Sequence, residues 1–252
     1  MKYAEKYQLK KRAIKKKYGK KLNKRTVFKR IIKYFFVVLF CFIAISLIQV
    51  GALRFFNTPF TLSTSIEWLF DAAKGNNFNG LRAKWKPLTE ISPHVRRAVL
   101  AAEDQRFTRH RGFDYIEIGH AIDKAAQGEK LRGASTISMQ TARTVFLWNK
   151  RSASRKLLEI YYTFLIEYLW SKQRIMEVYL NTVDWGDDII GVESAARKYF
   201  GTSAAALTMD QAAALVAVLP NPHRFDPVKP DVLTARRILR IKKDMLIMPL
   251  LQ

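Results

Sequence analysis

Residues 34–53, YFFVVLFCFIAISLIQVGAL, run for twenty positions without a charge, between Lys33 and Arg54. Twenty helical residues span about 30 Å, the thickness of one bilayer hydrocarbon core. A cleaved signal peptide has a shorter apolar core followed by a small-residue cleavage site. A core helix of a soluble domain is seldom this long without a charged position. The run is therefore expected to be an uncleaved transmembrane anchor, which divides the chain into a tail at 1–33, a span at 34–53 and a domain at 54–252.

The charge is distributed to match. The 252 residues carry a net +23, and residues 1–33 hold 15 Lys/Arg against the single acid Glu5, so +14 lies before the span. Such an arm suits nucleic acid or an anionic membrane. The adjoining span favours the membrane, so no nucleic-acid partner is expected. The positive-inside rule keeps the tail in the cytoplasm and puts the domain after Arg54 outside the inner membrane. Cys41, the only cysteine, lies within the apolar run. This leaves no intrachain disulfide and no Cys-based metal site. A domain of about 200 residues can be held by its own core.

Residues 54–90 read as a membrane-proximal connection with one short helix around 65–73. Beyond them the pattern is helical almost throughout. Pro93 opens a helix with Ser92 as N-cap. Further helices are expected at 115–127, 136–148, 154–169, 172–180 and 193–200, the last stopped by Gly201. Thr208 and Gln211 match a capping box before MDQAAALVAVL, and Pro220 ends that run. A last helix is expected at 233–247. Alternating strand patterns are scarce, so the fold class is mainly α. Residues 154–169, SRKLLEIYYTFLIEYL, are apolar on nearly every face and are expected to form a central buried helix. Glu167 interrupts FLIEYLW, which is too short to be a second span.

Four polar clusters lie among these helices. AAEDQRFTRHRGFD, 101–114, sets Glu103 and Asp104 inside a basic chain. At helical spacing Glu103, Phe107 and His110 share a face, and a carboxylate ending an apolar helix is placed to act as a base. A surface Glu–Arg ladder is the plainer alternative. GASTISMQTAR, 133–143, offers a loop at Gly133, a cap at Ser135 and, further along, Gln140 and Arg143. A helix start with free N–H groups and hydroxyls suits phosphate, although every helix also needs a cap. RSASRKLLE, 151–159, places Lys156 and Glu159 on one face at i, i+3, with Arg151 and Arg155 just before. It reads either as a diphosphate or metal–diphosphate site or as an ordinary ion pair. The loop after Asn181, with Asp184, Asp187 and Asp188, lacks calcium-loop spacing, so turn chemistry is expected there. Two glutamates 56 residues apart among cations and hydroxyls fit glycosyl chemistry with a phosphate leaving group. Hydrolases also use two carboxylates.

The stretches ISPHVRRAVLAAEDQRFTRHRGFD, RGASTISMQTARTVFLW, RKLLEIYYTFLIEYLWSKQRIMEVYLN, GVESAARKYFG and QAAALVAVLPNPHRFDP, taken together, resemble the peptidoglycan glycosyltransferases (glycosyltransferase family 51). Within that family they resemble the monofunctional biosynthetic peptidoglycan transglycosylases. The likeness covers roughly residues 55–227 in the family's order. It implies a mainly α, lysozyme-like domain with a membrane-proximal jaw, preceded by one transmembrane helix. The implied reaction polymerises lipid II into glycan strands, with inversion and release of undecaprenyl diphosphate. The resemblance makes Glu103 the general base and Glu159 the second catalytic glutamate, near the diphosphate. It makes Ser135, Gln140, Arg143, Arg151 and Lys156 binders of the donor's diphosphate and sugar. No cofactor is required by it, though it leaves room for a divalent cation such as Mg2+ at the diphosphate; no protein metal site is expected. Lipid II, the nascent strand and membrane lipids are the implied partners, along with other wall-synthesis or division proteins.

Some positions depart from the family's pattern. Met139 stands where a second Gln is frequent, Arg143 replaces a frequent Lys, and Asp187 and Asp188 replace Pro-Gly or Asp-Gly. No S-x-x-K occurs in the sequence, so transpeptidation is not expected. The competing readings are a lytic, lysozyme-like enzyme and a non-catalytic scaffold of the cell wall.

Overall fold

The computed structural model describes residues 2–18, 24–57, 84–128, 133–148, 150, 152–187 and 189–251. The short helix expected at 65–73 lies outside them. The chain divides into two compact units, residues 1–49 and 50–252.

The first unit holds α1, Lys2–Tyr18, and most of α2, Lys24–Phe55. The pattern before the apolar run shows only a basic arm, but helix continues upstream of Lys33 because Lys and Arg are good helix formers. Val27–Phe55 is long and apolar enough to cross a membrane. Phe35, Phe36, Phe40, Ile45 and Ile48 are all exposed. A helix apolar on every side and little buried by protein has the character of a membrane span.

The second unit is helical, and its described residues hold only one isolated bridge, Asp184 with Ile190. Its helices are α3 (Pro93–Glu103), α4 (Tyr115–Ala126), α5 (Ile137–Phe146), α6 (Ala153–Leu169), α7 (Lys172–Thr182), α8 (Val192–Phe200), α9 (Met209–Ala217) and α10 (Val232–Met245). Local chemistry sets most boundaries. Ser92 Oγ accepts from His94 N at 3.3 Å with Pro93 in the first position. Both bonds of the Thr208–Gln211 capping box form. Gly201 ends α8 at φ 64°, a conformation that costs glycine little.

Two packing groups frame the site. In one, α3, α9 and α10 contact one another. The Ala-rich face of α9 (Ala212, Ala213, Leu215, Val216 and Ala217) is fully buried, and small side chains let the neighbouring helices approach closely. In the other, α5 packs on α6 and α7. The C-terminal end of α2 from Val50, with Phe56 just beyond it, is held to this second group: Trp170 Nε1 donates to Val50 O at 2.8 Å, and Arg174 Nη2 donates to Leu53 O and Phe56 O at 2.8 Å.

The expected central burial of 154–169 is not observed. α6 buries Arg155, Glu159, Tyr162, Thr163 and Ile166 and exposes Leu157, Phe164 and Tyr168. The buried stripe holds polar residues that satisfy one another, so several of the apolar ones are left outside. Glu167, which interrupts the apolar segment, accepts from Ser138 Oγ and, at 2.7 Å, from Lys172 Nζ.

Candidate active site

α3 ends at Glu103, and Asp104 leaves the helical conformation. The chain then makes a short 3-10 turn at Phe107–Arg109, anchored by the fully buried Phe107. The common helical face expected for Glu103, Phe107 and His110 is therefore not formed, because the helix stops first. His110 Nε2 instead donates to the Asp104 oxygens at 2.9 and 3.0 Å. Asp104 Oδ2 accepts from Ile137 N, the first amide of α5, at 3.1 Å. A second tie runs from Thr136 Oγ1 to Gly112 O at 2.6 Å. Gly112 sits at φ 88°, and a Cβ there would lie 2.8 Å from Thr163 Cγ2, so the turn requires glycine. The acidic pair thus divides its work. Asp104 staples the loop to the start of α5, and Glu103 is left facing the junction of the two helix groups.

Glu103 is held from both groups. Arg237 Nη2, from α10, donates to Oε1 at 3.0 Å, and Gln140 Nε2, from α5, donates to Oε2 at 3.0 Å. The carboxylate side chain keeps 16% exposure. Tyr179 OH, on α7, donates to Gln140 Oε1 at 3.4 Å, which orients the amide with its N–H toward Glu103. Burial, followed by the charge of Glu103, pushes the Tyr179 hydroxyl well above its ordinary value of 10.0, so it stays a donor. Burial lowers the Arg237 guanidinium from its ordinary value, against a raising effect of Glu103; an arginine remains a cation at neutral pH even so. Neither Arg237 nor Tyr179 is marked in the sequence. Arg237 is one basic residue among several in ARRILRIKK, and Tyr179 falls on an ordinary apolar stripe.

Glu159 sits differently. It is fully buried, one oxygen accepting from Arg155 Nη1 at 3.2 Å and the other from Lys156 Nζ at 2.7 Å. Arg155 is almost buried, while the Lys156 side chain keeps 46% exposure. The group carries two cations against one anion, and its half-exposed ammonium can meet an anionic ligand.

The remaining expected residues place as follows. Ser135 precedes α5, and its carbonyl accepts weakly from Gln140 Nε2 at 3.5 Å. The cap of α5 is Thr136 rather than Ser135, because Thr136 Oγ1 accepts from Met139 N. Arg143, in the last turn of α5, is half-buried and acts electrostatically on Tyr179. Arg151 lies outside the described residues. Glu103, Gln140 and Ser135 thus form one linked set, and Lys156 and Glu159 form another on the adjoining α6.

Two further polar groups adjoin these. Asp104, His110 and Asp114 offer ligand-type atoms within 4.8 Å of one another. However, Asp114 Oδ1 caps α4 through Ile116 N and Glu117 N, and Arg106 Nε stands 3.1 Å from its Oδ2. The carboxylates are engaged and a cation is already among them, so this is a structural network. In the 184–190 loop, His223 Nε2 meets Asp184 Oδ2 at 2.8 Å and Nδ1 meets Asp187 Oδ1 at 2.5 Å; Asp184 Oδ1 accepts from Gly186 N at 3.0 Å. The expected turn chemistry is present there. Asp188 lies outside the described residues.

Comparison with known proteins points to one family. Residues 72–246 match the family model described as Transglycosylase. A biosynthetic peptidoglycan transglycosylase of Caulobacter vibrioides is 49% identical over 164 residues, 65% of this chain and 72% of its own length. Proteins of the same description from Ectopseudomonas mendocina and Bacteroides thetaiotaomicron are each 42% identical, over 221 and 224 residues, in both cases 88% of this chain and 89% of theirs.

Proposed function

Since the chain belongs to the transglycosylase family and is a glycosyltransferase of peptidoglycan synthesis, we propose that it polymerises lipid II into glycan strands with Glu103 as the general base. The observation that carries this reading is the Glu103 carboxylate, positioned from both sides by Gln140 and Arg237 yet still reachable. A base must lie within hydrogen-bond reach of the proton it takes. Glu103 removes the proton from the 4-hydroxyl of the acceptor GlcNAc as that oxygen bonds to the anomeric carbon of the growing strand's MurNAc. The carbon–oxygen bond to the diphosphate breaks on the opposite face. Undecaprenyl diphosphate leaves with the electron pair, and the configuration inverts.

Cations offset the charge that gathers on the leaving group. Lys156, Arg143 and Arg151 take that role, with Ser135 and Gln140 contacting donor sugar or phosphate. Glu159 acts through its neighbours, holding Arg155 and Lys156 in place. Both of its oxygens are already taken by these cations, so it does not fit as ligand to a divalent ion, and no step here runs through a metal. The α2 span anchors the protein in the cytoplasmic membrane with the N-terminus inside. The exposed apolar residues of α4 and α6, Tyr115, Ile122, Leu157, Phe164 and Tyr168, suit a jaw that meets the same membrane. Membrane lipids, the nascent strand and other wall-synthesis proteins are its partners in this reading, and nucleic acid is not.

The test is incubation of the purified protein with labelled lipid II in detergent. Polymer is expected. Release of muropeptides from finished peptidoglycan, with no polymer from lipid II, would overturn the reading in favour of a lytic enzyme.

A further inference from the structure

α1 is used neither by the reaction nor by the core. It carries eight Lys/Arg and one acid over Lys2–Tyr18. Tyr3 and Tyr7, one turn apart, are exposed. Residues four apart share one side of a 3.6-residue helix. The result is a basic helix that carries an exposed tyrosine pair, the tyrosine seam, on one side. Seventeen residues crowded with like charge are marginal as an isolated helix in water, so a counter-charged surface is needed to hold it.

The chain supplies such a surface nearby. Six peptide steps separate Tyr18 from Lys24, at most about 20 Å. α2 then opens with Lys24, Arg25, Lys29, Arg30 and Lys33 before its uncharged run. A helix tethered this closely to a span cannot leave the bilayer surface by much more than its own length. Tyrosine favours the membrane–water interface, and juxtamembrane basic clusters are drawn to anionic headgroups. We infer that α1 lies on the bilayer surface at the N-terminal side of the span, with its basic residues against anionic lipid headgroups and Tyr3 and Tyr7 in the interface. The inference rests on the anchored reading above. RNA would match the charge, but neither the tyrosine seam nor the short tether favours it.

The test is amide hydrogen exchange over residues 2–18 in the full chain. The protein is placed in nanodiscs of phosphatidylcholine alone and of phosphatidylcholine mixed with phosphatidylglycerol. Exchange is expected to slow about tenfold or more in the anionic discs, an effect that added salt reverses. Tyr3→Ala with Tyr7→Ala should weaken the protection and leave its salt dependence. Equal exchange in both discs overturns the inference while the anchor stands, and so does protection by added RNA that exceeds protection by anionic lipid. Failure of the protein to elute with discs at all overturns the anchor, and the inference falls with it.

Discussion

Glu103 and Glu159 are both glutamates paired with cations, yet their positions on their helices separate them. Glu103 is the last residue of α3, where the backbone turns away, and its carboxylate, though held at both oxygens, keeps 16% exposure. Glu159 lies inside α6 with no exposure and both oxygens occupied. A carboxylate that a substrate hydroxyl can reach can exchange a proton with it. One sealed between two cations serves as their counter-charge. On the proposed reading the same residue type has two uses, decided by a helix end and by who holds the oxygens.

The comparison can be broken by substitution. Glu103→Gln keeps the shape and removes the base, so polymerisation should fall by about 10²–10⁴-fold, while the melting temperature falls less than for Glu159→Ala, because Gln still offers Arg237 an acceptor. Glu159→Ala leaves Arg155 buried without its partner. Removing one member of a buried pair costs about 3–5 kcal/mol, so denaturant unfolding should show a large loss of stability. Lost activity with unchanged stability would instead give Glu159 a direct role. Asp104→Ala removes the charged acceptor of Ile137 N and His110, and about 1.5–3 kcal/mol of stability should go with it; Asp104→Asn, which can still accept from the amide, should lose less. Tyr179→Phe leaves the Gln140 amide unoriented. A net hydrogen bond of about 1 kcal/mol corresponds to roughly fivefold in rate, read as a fall in kcat/KM.

The smallest effect concerns pH and a group remote from both glutamates. His223 is raised above its ordinary 6.5, first by its hydrogen bond with Asp187 and further by Asp184, against desolvation. A raised value means the folded state binds the proton more tightly. The stabilisation is then complete below about 6.5 and is lost as pH rises through the folded-state value. The imidazole is more than half exposed, so solvent screening holds the effect to about 1 kcal/mol or less. Thermal melts of wild type and His223→Ala should converge as pH rises and as salt is added.

Much of this frame is legible in the sequence wherever the cause is local. The uncharged run sets one long apolar helix, Ser92–Pro93 and Thr208–Gln211 set helix starts, and Gly201 sets a stop. What escapes the sequence is pairing between distant residues. Arg237 stands 134 residues from Glu103, and the amide held by Asp104 stands 33 residues away; only packing brings them together. α6 shows the same limit from the other side. Its composition predicts burial, but polar residues that satisfy one another inside displace part of its apolar surface outward.

In the proposed reaction Glu103 takes the proton while the cations bind the donor. The most direct test measures donor binding and turnover together for Glu103→Gln, using lipid II under single-turnover conditions. Donor affinity should stay close to wild type, with polymer formation reduced at least about a hundredfold. Turnover within about tenfold of wild type would remove Glu103 from the role of base.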